Sequence, residues 1–386
     1  MPKKQKAKKV DFYKESLKLH KKHKGKLATE LKVPLENKYD LSLTYTPGVA
    51  EVCREIARNP KSVHDLTIKG NTVAVISDGS AILGLGNLGP HAAIPVMEGK
   101  AALFKRFADL DAFPLCLDTQ DEEEIIKIIK AVAPVFGAIN LEDISAPRCF
   151  NIERRLQKEL HIPIMHDDQH GTAVVVLAGL INALKLHKSK KEQVRIVMSG
   201  AGAAGLAIAD LLLESGFKNI LLNDTDGAIY EGRLNLNPEK ERLSKVTNRT
   251  KVRGSLADTL VGADIFIGVS KPKVLTKEMI GTMNKKPIIF ALANPEPEIM
   301  PEQAYEAGVF IIATGRSDYP NQVNNSLAFP GIFRGAIDNK IKQFNTKMFV
   351  KAAEALAKAT KNISVNKIIP TPFEKGIVES IAKVIK

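Results

Sequence analysis

Cysteine is scarce in this chain of 386 residues: only Cys53, Cys116 and Cys149 occur. Their number is odd, their spacing wide, and no Cys-x-x-Cys is present. That excludes a disulfide scaffold and points to reduced thiols in a cytoplasmic protein. No apolar stretch follows the opening MPKKQKAKKV, so no secretory signal is read there. The longest apolar run, Thr172 to Leu184, falls short of the roughly 18 residues a membrane span needs, and it contains Asn182. Neither an internal repeat nor a low-complexity linker is found. No aromatic platform or base-reading motif accompanies the lysines, so neither nucleic acid nor membrane is expected as a partner.

With 44% hydrophobic and 26% charged residues, the composition is that of a globular protein. Two or three domains are expected, with a core large enough to need no staples. Part of the net charge of +13 sits in the first 26 residues. We read that segment as a frayed start and a solvated helix, within a positive field that favours capture of a dicarboxylate.

Residues 11–24 read as a short helix stopped by Gly25, and Thr46-Pro47 as the cap and first position of a helix carrying Val49, Val52 and Ile56. A strand at 72–76 leads into the turn Asp78-Gly79. Strands are then expected at 112–117, 137–141, 161–165, 194–198, 219–223, 264–268, 287–291 and 309–312. Helices are expected at 95–108, 121–133, 147–159, 170–187, 203–215 and 301–307, with a mostly helical tail from 331. Strands alternating with helices and few hairpin signals predict an α/β fold of doubly wound domains.

Gly200-Ala201-Gly202-Ala203-Ala204-Gly205 matches G-x-G-x-x-G. It follows the apolar strand Val194–Met198 and opens an apolar helix, and Asp224 ends the next strand at the expected distance. Gly200 would make the tight turn, Gly202 would admit the pyrophosphate, and Gly205 would let helix and strand pack. Asp224 would accept from the ribose 2′-hydroxyl, which favours NAD over NADP; Arg233, nine residues on, is not a close neighbour in sequence.

Glu142-Asp143 and Asp167-Asp168 each follow an apolar strand. Either pair alone is read as helix capping. Two strand ends presenting paired carboxylates upstream of a dinucleotide site suggest an oxygen site for Mg²⁺ or Mn²⁺. Taken alone, Lys100 reads as a surface lysine and Tyr45 as a packed aromatic. His166 and His170 have a zinc-capable spacing but lack H-E-x-x-H, so they read as structural.

Seven segments, spread over most of the chain, together resemble the malic enzyme family, above all its short bacterial and archaeal branch. They are residues 45–50 (YTPGVA), 78–89 (DGSAILGLGNLG), 95–100 (PVMEGK), 141–144 (LEDI), 166–173 (HDDQHGTA), 293–295 (ANP) and 324–331 (NNSLAFPG). The resemblance implies Lys100 as base for the malate hydroxyl, kept neutral by a lowered pKa, and Tyr45 as the acid that protonates the enolate. It implies Glu142, Asp143 and Asp168 as metal ligands, Asp167 as a neighbouring catalytic aspartate, and Asn294, Asn324 and Asn325 as contacts to substrate or cofactor. It further implies an N-terminal substrate and metal domain (1–165), a Rossmann-type NAD(P) domain (166–325) and a helical C-terminal segment (326–386) packing back on the first. The expected reaction is oxidative decarboxylation of malate to pyruvate with NAD, or NADP, by a homodimer or larger homo-oligomer. The competing readings are a 2-hydroxy-acid dehydrogenase that does not decarboxylate and a non-catalytic NAD-binding sensor. One departure stands out. Longer eukaryotic members carry a carboxylate-binding arginine before Ile82, and here that position is Ala81, small as in the shorter branch.

Overall fold

The first sheet contains β1 (Thr72–Ser77), β2 (Asp111–Cys116), β3 (Ala138–Leu141) and β4 (Ile164–His166), in the order β2-β1-β3-β4. All its pairings are parallel, with Ile76 opposite Leu141 in the β1–β3 register. Every residue of β1 is buried, as a parallel strand covered on both faces requires. These coordinates are a computed structural model that describes residues 11–386; the lysine-rich residues 1–10 lie outside the described residues.

The second sheet holds β5 (Arg195–Ser199), β6 (Asn219–Asp224), β7 (Gly227–Ala228), β8 (Ile265–Gly268), β9 (Ile288–Ala291) and β10 (Ile311–Thr314). Its order is β10-β9-β8-β5-β6-β7, parallel except for β7. The strand order reverses at β5, where an open sheet has its ligand crevice. Two residues are too few to give β7 a readable alternation, and the sequence did not predict it.

The Asp167–His187 helix starts where β4 ends. Sequence placed its start at 170; in fact its first turn takes in both aspartates, with His166 as the cap residue. Among the described residues it alone is long and apolar enough to cross a membrane, yet 67% of that apolar window is buried inside the protein. It packs against the Ala203–Glu214 and Thr346–Ala359 helices and so belongs to the core of the second sheet. Full burial of a leucine or valine here contributes roughly 1.5–3 kcal/mol.

From the far end of the chain, the Phe329–Asp338 helix returns to the first sheet. Phe329 and Phe333 meet Phe104 of the Pro90–Ala108 helix edge-on, with ring centroids 4.6 and 5.2 Å apart. No residue between 11 and 71 is buried. Within that stretch the helix expected from Thr46-Pro47 begins later, at Val49. The Gly48 amide is still bonded to Ser42 O of the preceding Lys38–Thr44 helix, so the chain has not finished turning at Pro47.

Candidate active site

Leaving β3, the chain presents Glu142 and Asp143. Leaving β4, Asp167 and Asp168 occupy the first turn of the long helix, where the helix dipole favours negative charge. Lys100 enters from the Pro90–Ala108 helix. It is no surface lysine: it is 7% exposed, with Nζ 2.6 Å from Asp167 Oδ2 and 2.8 Å from Glu142 Oε1. The Phe329 ring closes over it, its centroid 4.4 Å from Nζ.

Asp143 has a left-handed backbone, φ 54°, and its N–H donates to Asp168 Oδ2 at 2.8 Å. That bond joins the two strand ends. Asn140 Nδ2 donates to Glu142 Oε2 at 2.9 Å, and Ala81 N donates to Asp143 O at 3.0 Å. Gly171 allows the closest approach in the cluster. A Cβ built there would stand 1.8 Å from Asp167 Oδ1 and 3.2 Å from the Asn325 Cβ. Glycine thus lets both side chains pack against the same turn of the long helix.

Four carboxylates surround one ammonium. Burial alone would lower the Lys100 pKa, but Asp167 and then Glu142 outweigh it and raise it above the usual lysine range. The neutral amine implied by the family resemblance is therefore not its state in the free protein; two touching carboxylates hold the proton on. Burial, aided by Asp168, Asp167 and Asp143, pushes the Glu142 carboxyl well above its usual range despite Lys100. Burial and then Asp168 push Asp143 up to about 7. Asp168 stays below its usual value, because the neighbouring His166 outweighs burial.

Glu142, Asp143 and Asp168 each offer an oxygen within 4.8 Å of the others. Asp143 Oδ2 is buried and has no hydrogen-bond partner among the described residues. Hard oxygen donors, an excess of negative charge and an orphaned acceptor fit a divalent cation bound at 2.0–2.6 Å. No histidine or cysteine joins the set. His166 and His170 are engaged with Gln169, Asp168 and Glu153 instead.

At the second sheet, β5 turns through residues 200–202 into the Ala203–Glu214 helix. Gly200 has φ +108°, and a Cβ there would lie 2.5 Å from Val269 O; a Cβ on Gly205 would lie 1.9 Å from Gly200 O. Packing therefore demands both glycines. A Cβ on Gly202 would meet nothing within 4 Å. Its open side is the approach a pyrophosphate needs to the helix N-terminus, which Ala203 and Ala204 begin and Ala201 precedes in the turn.

Asp224 ends β6, and here the structure corrects the sequence reading of Arg233. The antiparallel hairpin into β7 brings Arg233 back, with Nη1 2.9 Å from Asp224 Oδ1, and Lys240 Nζ lies 2.7 Å from Oδ2. Burial would raise the Asp224 carboxyl, but Arg233 and Lys240 hold it down at about 2.

Asn294 follows β9 and meets the first domain's loop: a Cβ on Gly84 would stand 2.6 Å from Asn294 O. Asn324 Oδ1 accepts from Ser326 N at 2.9 Å, which delivers Asn325 to the Asp167 side. Tyr45 is not brought to the cluster. It ends the Lys38–Thr44 helix, is 67% exposed, and its phenol has no hydrogen-bond partner among the described residues.

Three charged groups, the half-buried Arg148 and the buried Glu298 and Glu153, were missed by sequence reasoning. Arg148 Nη2 lies 2.9 Å from the buried Asp78 and holds the 78–89 loop. Glu298, fully buried, accepts from Ser270 N at 2.9 Å and Ala293 N at 3.0 Å, tying the loops after β8 and β9. Glu153 lies behind the Asp167 turn. Arg148 and Glu298 come together with their partners only through loops.

Residues 24–157 match the profile of the malic enzyme N-terminal domain, and residues 169–384 that of the malic enzyme NAD-binding domain. The chain is 54% identical over 374 residues to the bifunctional malic/malolactic enzyme of Bacillus subtilis (strain 168), covering 96% of this chain and 91% of that one. It is 54% identical over 363 residues to the NAD-dependent malic enzyme of Geobacillus stearothermophilus, covering 94% and 76%. The crystal structure of the NAD-dependent malic enzyme from Thermotoga maritima superposes with a TM-score of 0.93 at 50% identity, covering 98% of this chain and 99% of that one. With two matched domain profiles, such relatives and this shared architecture, the chain belongs to the malic enzyme family, in its short bacterial and archaeal form.

Proposed function

We propose that this NAD(P)-dependent malic enzyme oxidatively decarboxylates malate to pyruvate and CO₂ at the Lys100 cluster. The observation that carries this reading is a single ammonium locked between Asp167 and Glu142 beside three converging carboxylate oxygens. Glu142, Asp143 and Asp168 would hold Mg²⁺ or Mn²⁺, which when bound supplies Lewis acidity toward the malate hydroxyl and its adjacent carboxylate.

The chain's own groups move the protons. Burial disfavours the ionised Lys100–Asp167 pair, and burial also raises the proton affinity of Asp167. One proton can thus pass along their 2.6 Å contact, leaving an amine free to take the malate hydroxyl proton. The turn at 200–205 and Asn294 would hold the dinucleotide, which when bound would supply the hydride acceptor for C2. Asn324 and Asn325 would orient the dicarboxylate. The C4 carboxylate departs as CO₂, and Tyr45 would protonate C3 once brought over the crevice.

Reduced cofactor should appear at 340 nm with malate only when Mn²⁺ or Mg²⁺ is added, with pyruvate formed in equal amount. The name of the Bacillus subtilis relative makes lactate the product to assay beside pyruvate. A dinucleotide-bound protein that turns over no malate would overturn the reading, and Tyr45→Phe with unslowed pyruvate release would remove the proposed acid.

NAD is the favoured cofactor, through the Asp224 carboxylate. Arg233 and Lys240 already sit where a 2′-phosphate would need partners. Asp224→Ser should therefore shift the ratio of kcat/KM for NADP over NAD by about a hundredfold; an unchanged ratio would remove Asp224 as selector.

A second copy of this chain is the expected cover for residues 12–45, where Phe12, Tyr13, Leu17, Leu31 and Tyr39 are all more than half exposed. Single-copy soluble proteins rarely leave so much apolar surface bare. Sedimentation at micromolar concentration should give at least a dimer mass, and a monomer would exclude this. The three cysteines form no disulfide, in keeping with the cytoplasmic setting we propose.

A further inference from the structure

We propose that Glu153 is a positioning residue for the metal-binding turn, acting through His166 and Gln169 on Asp168. The inference rests on the metal reading above.

Glu153 lies in the Arg148–Glu159 helix, buried together with Cys149, Ile152 and Leu156, where hydrocarbon is expected. It is 5% exposed. A carboxylate so placed costs several kcal/mol unless its oxygens are bonded. Burial alone would raise its pKa, but His170, and then the His166 ring and amide, keep it below the usual range. Its oxygens accept from His166 N at 2.8 Å and Gln169 Nε2 at 3.2 Å, and His170 Nε2 lies 3.0 Å away. All three partners fall in His166–His170, the five residues that also carry Asp167 and Asp168. None of the bonds goes to either aspartate.

The arrangement also fixes proton positions. A carboxylate only accepts, so Gln169 must turn its amide nitrogen toward Glu153. The same nitrogen lies 3.0 Å from His166 Nδ1, which must then be the acceptor. The ring proton is left on Nε2, which lies 3.2 Å from Asp168 Oδ2. That oxygen accepts from Asp143 N at 2.8 Å. One buried acceptor thus fixes the turn that sets the His166 ring against Asp168 Oδ2 on the protein side. Asp168 at the same time offers a carboxylate oxygen within 4.8 Å of oxygens of Glu142 and Asp143.

The test uses the full chain and three variants: Glu153→Gln, Glu153→Leu and Asp168→Asn. Mn²⁺ affinity is measured by the paramagnetic resonance of free Mn²⁺, NAD affinity by calorimetry without metal, and folding by thermal melting. Glu153→Gln is nearly isosteric and keeps one accepting oxygen. It should weaken Mn²⁺ binding about tenfold, with Glu153→Leu weaker still and metal-free NAD affinity unchanged. Mn²⁺ affinity within about twofold of the parent in a folded Glu153→Gln overturns the proposal. So does a parallel loss of NAD affinity, which marks a general structural role. If Glu153→Leu fails to fold, Glu153→Gln decides alone. Asp168→Asn separates the two levels. Unchanged Mn²⁺ affinity there sinks the metal reading itself, whereas loss there with none in the Glu153 variants sinks only the role of Glu153.

Discussion

Replacing Lys100 with alanine is expected to lower kcat for malate about a thousandfold, the middle of the range for losing a positioned general base. The loss should fall on kcat more than on cofactor affinity, since Lys100 touches the acidic cluster and Phe329 but no residue of the dinucleotide turn. Two carboxylates, Asp167 and Glu142, would lose the ammonium they share, and removing one partner of a buried ion pair typically costs about 3–5 kcal/mol. The metal-free variant should therefore also melt earlier, and Mn²⁺ should restore part of the difference by neutralising the same oxygens. Turnover within about tenfold of the parent would show that another group takes the proton. An unchanged melting point would contradict the buried pair itself.

Asp143→Asn should divide stability from function. In the metal-free protein, Asp143 is pushed up to about 7 by burial and by Asp168, so its ionised form is a burden on the folded state. For a carboxyl raised on folding, that burden is absent below the unfolded-state pKa, grows as pH rises through the folded value and is complete above it. Asparagine removes it and tolerates the left-handed backbone that Asp143 adopts. The variant should thus melt higher than the parent above pH 7, being more stable by up to about 4 kcal/mol, and match it near pH 4. Added Mn²⁺ should narrow that gap. At a hundredfold excess over its Kd it stabilises the parent by about 2.7 kcal/mol, while the variant, about a hundredfold weaker in metal affinity, should gain almost nothing. A variant that melts lower at every pH, or that keeps the Mn²⁺ response, would refute the assignment of Asp143.

The metal oxygens and the dinucleotide turn were legible in the sequence for one reason: both lie at the carboxyl ends of short apolar strands. There, a run such as residues 138–141 or 195–199 stops abruptly at acids or glycines. Lys100 was less visible, although the cue exists. Its helix buries Ala93, Met97, Lys100, Ala101 and Phe104 on one stripe, so the lysine occupies a hydrocarbon position. Glu153 repeats the pattern between Cys149 and Leu156. A charge on an apolar stripe implies a buried partner without saying which. Arg233 and Lys240 were invisible as partners of Asp224 because the two-residue strand β7 that returns the chain carries no periodicity. Tyr45 shows the opposite limit. Its motif is readable, yet the fold leaves the ring in solvent.

Phe329 has one more consequence, for the order of biosynthesis. A chain emerging from the ribosome completes the first sheet, both acidic pairs and Lys100 long before residue 329 is made. Until then the Phe329 ring is missing from over the ammonium, and the electrostatics described for the finished protein are incomplete. The nascent N-terminal lobe carries all the charges of the centre and lacks its dry roof, so catalytic competence arrives only with the last stretch of the polypeptide.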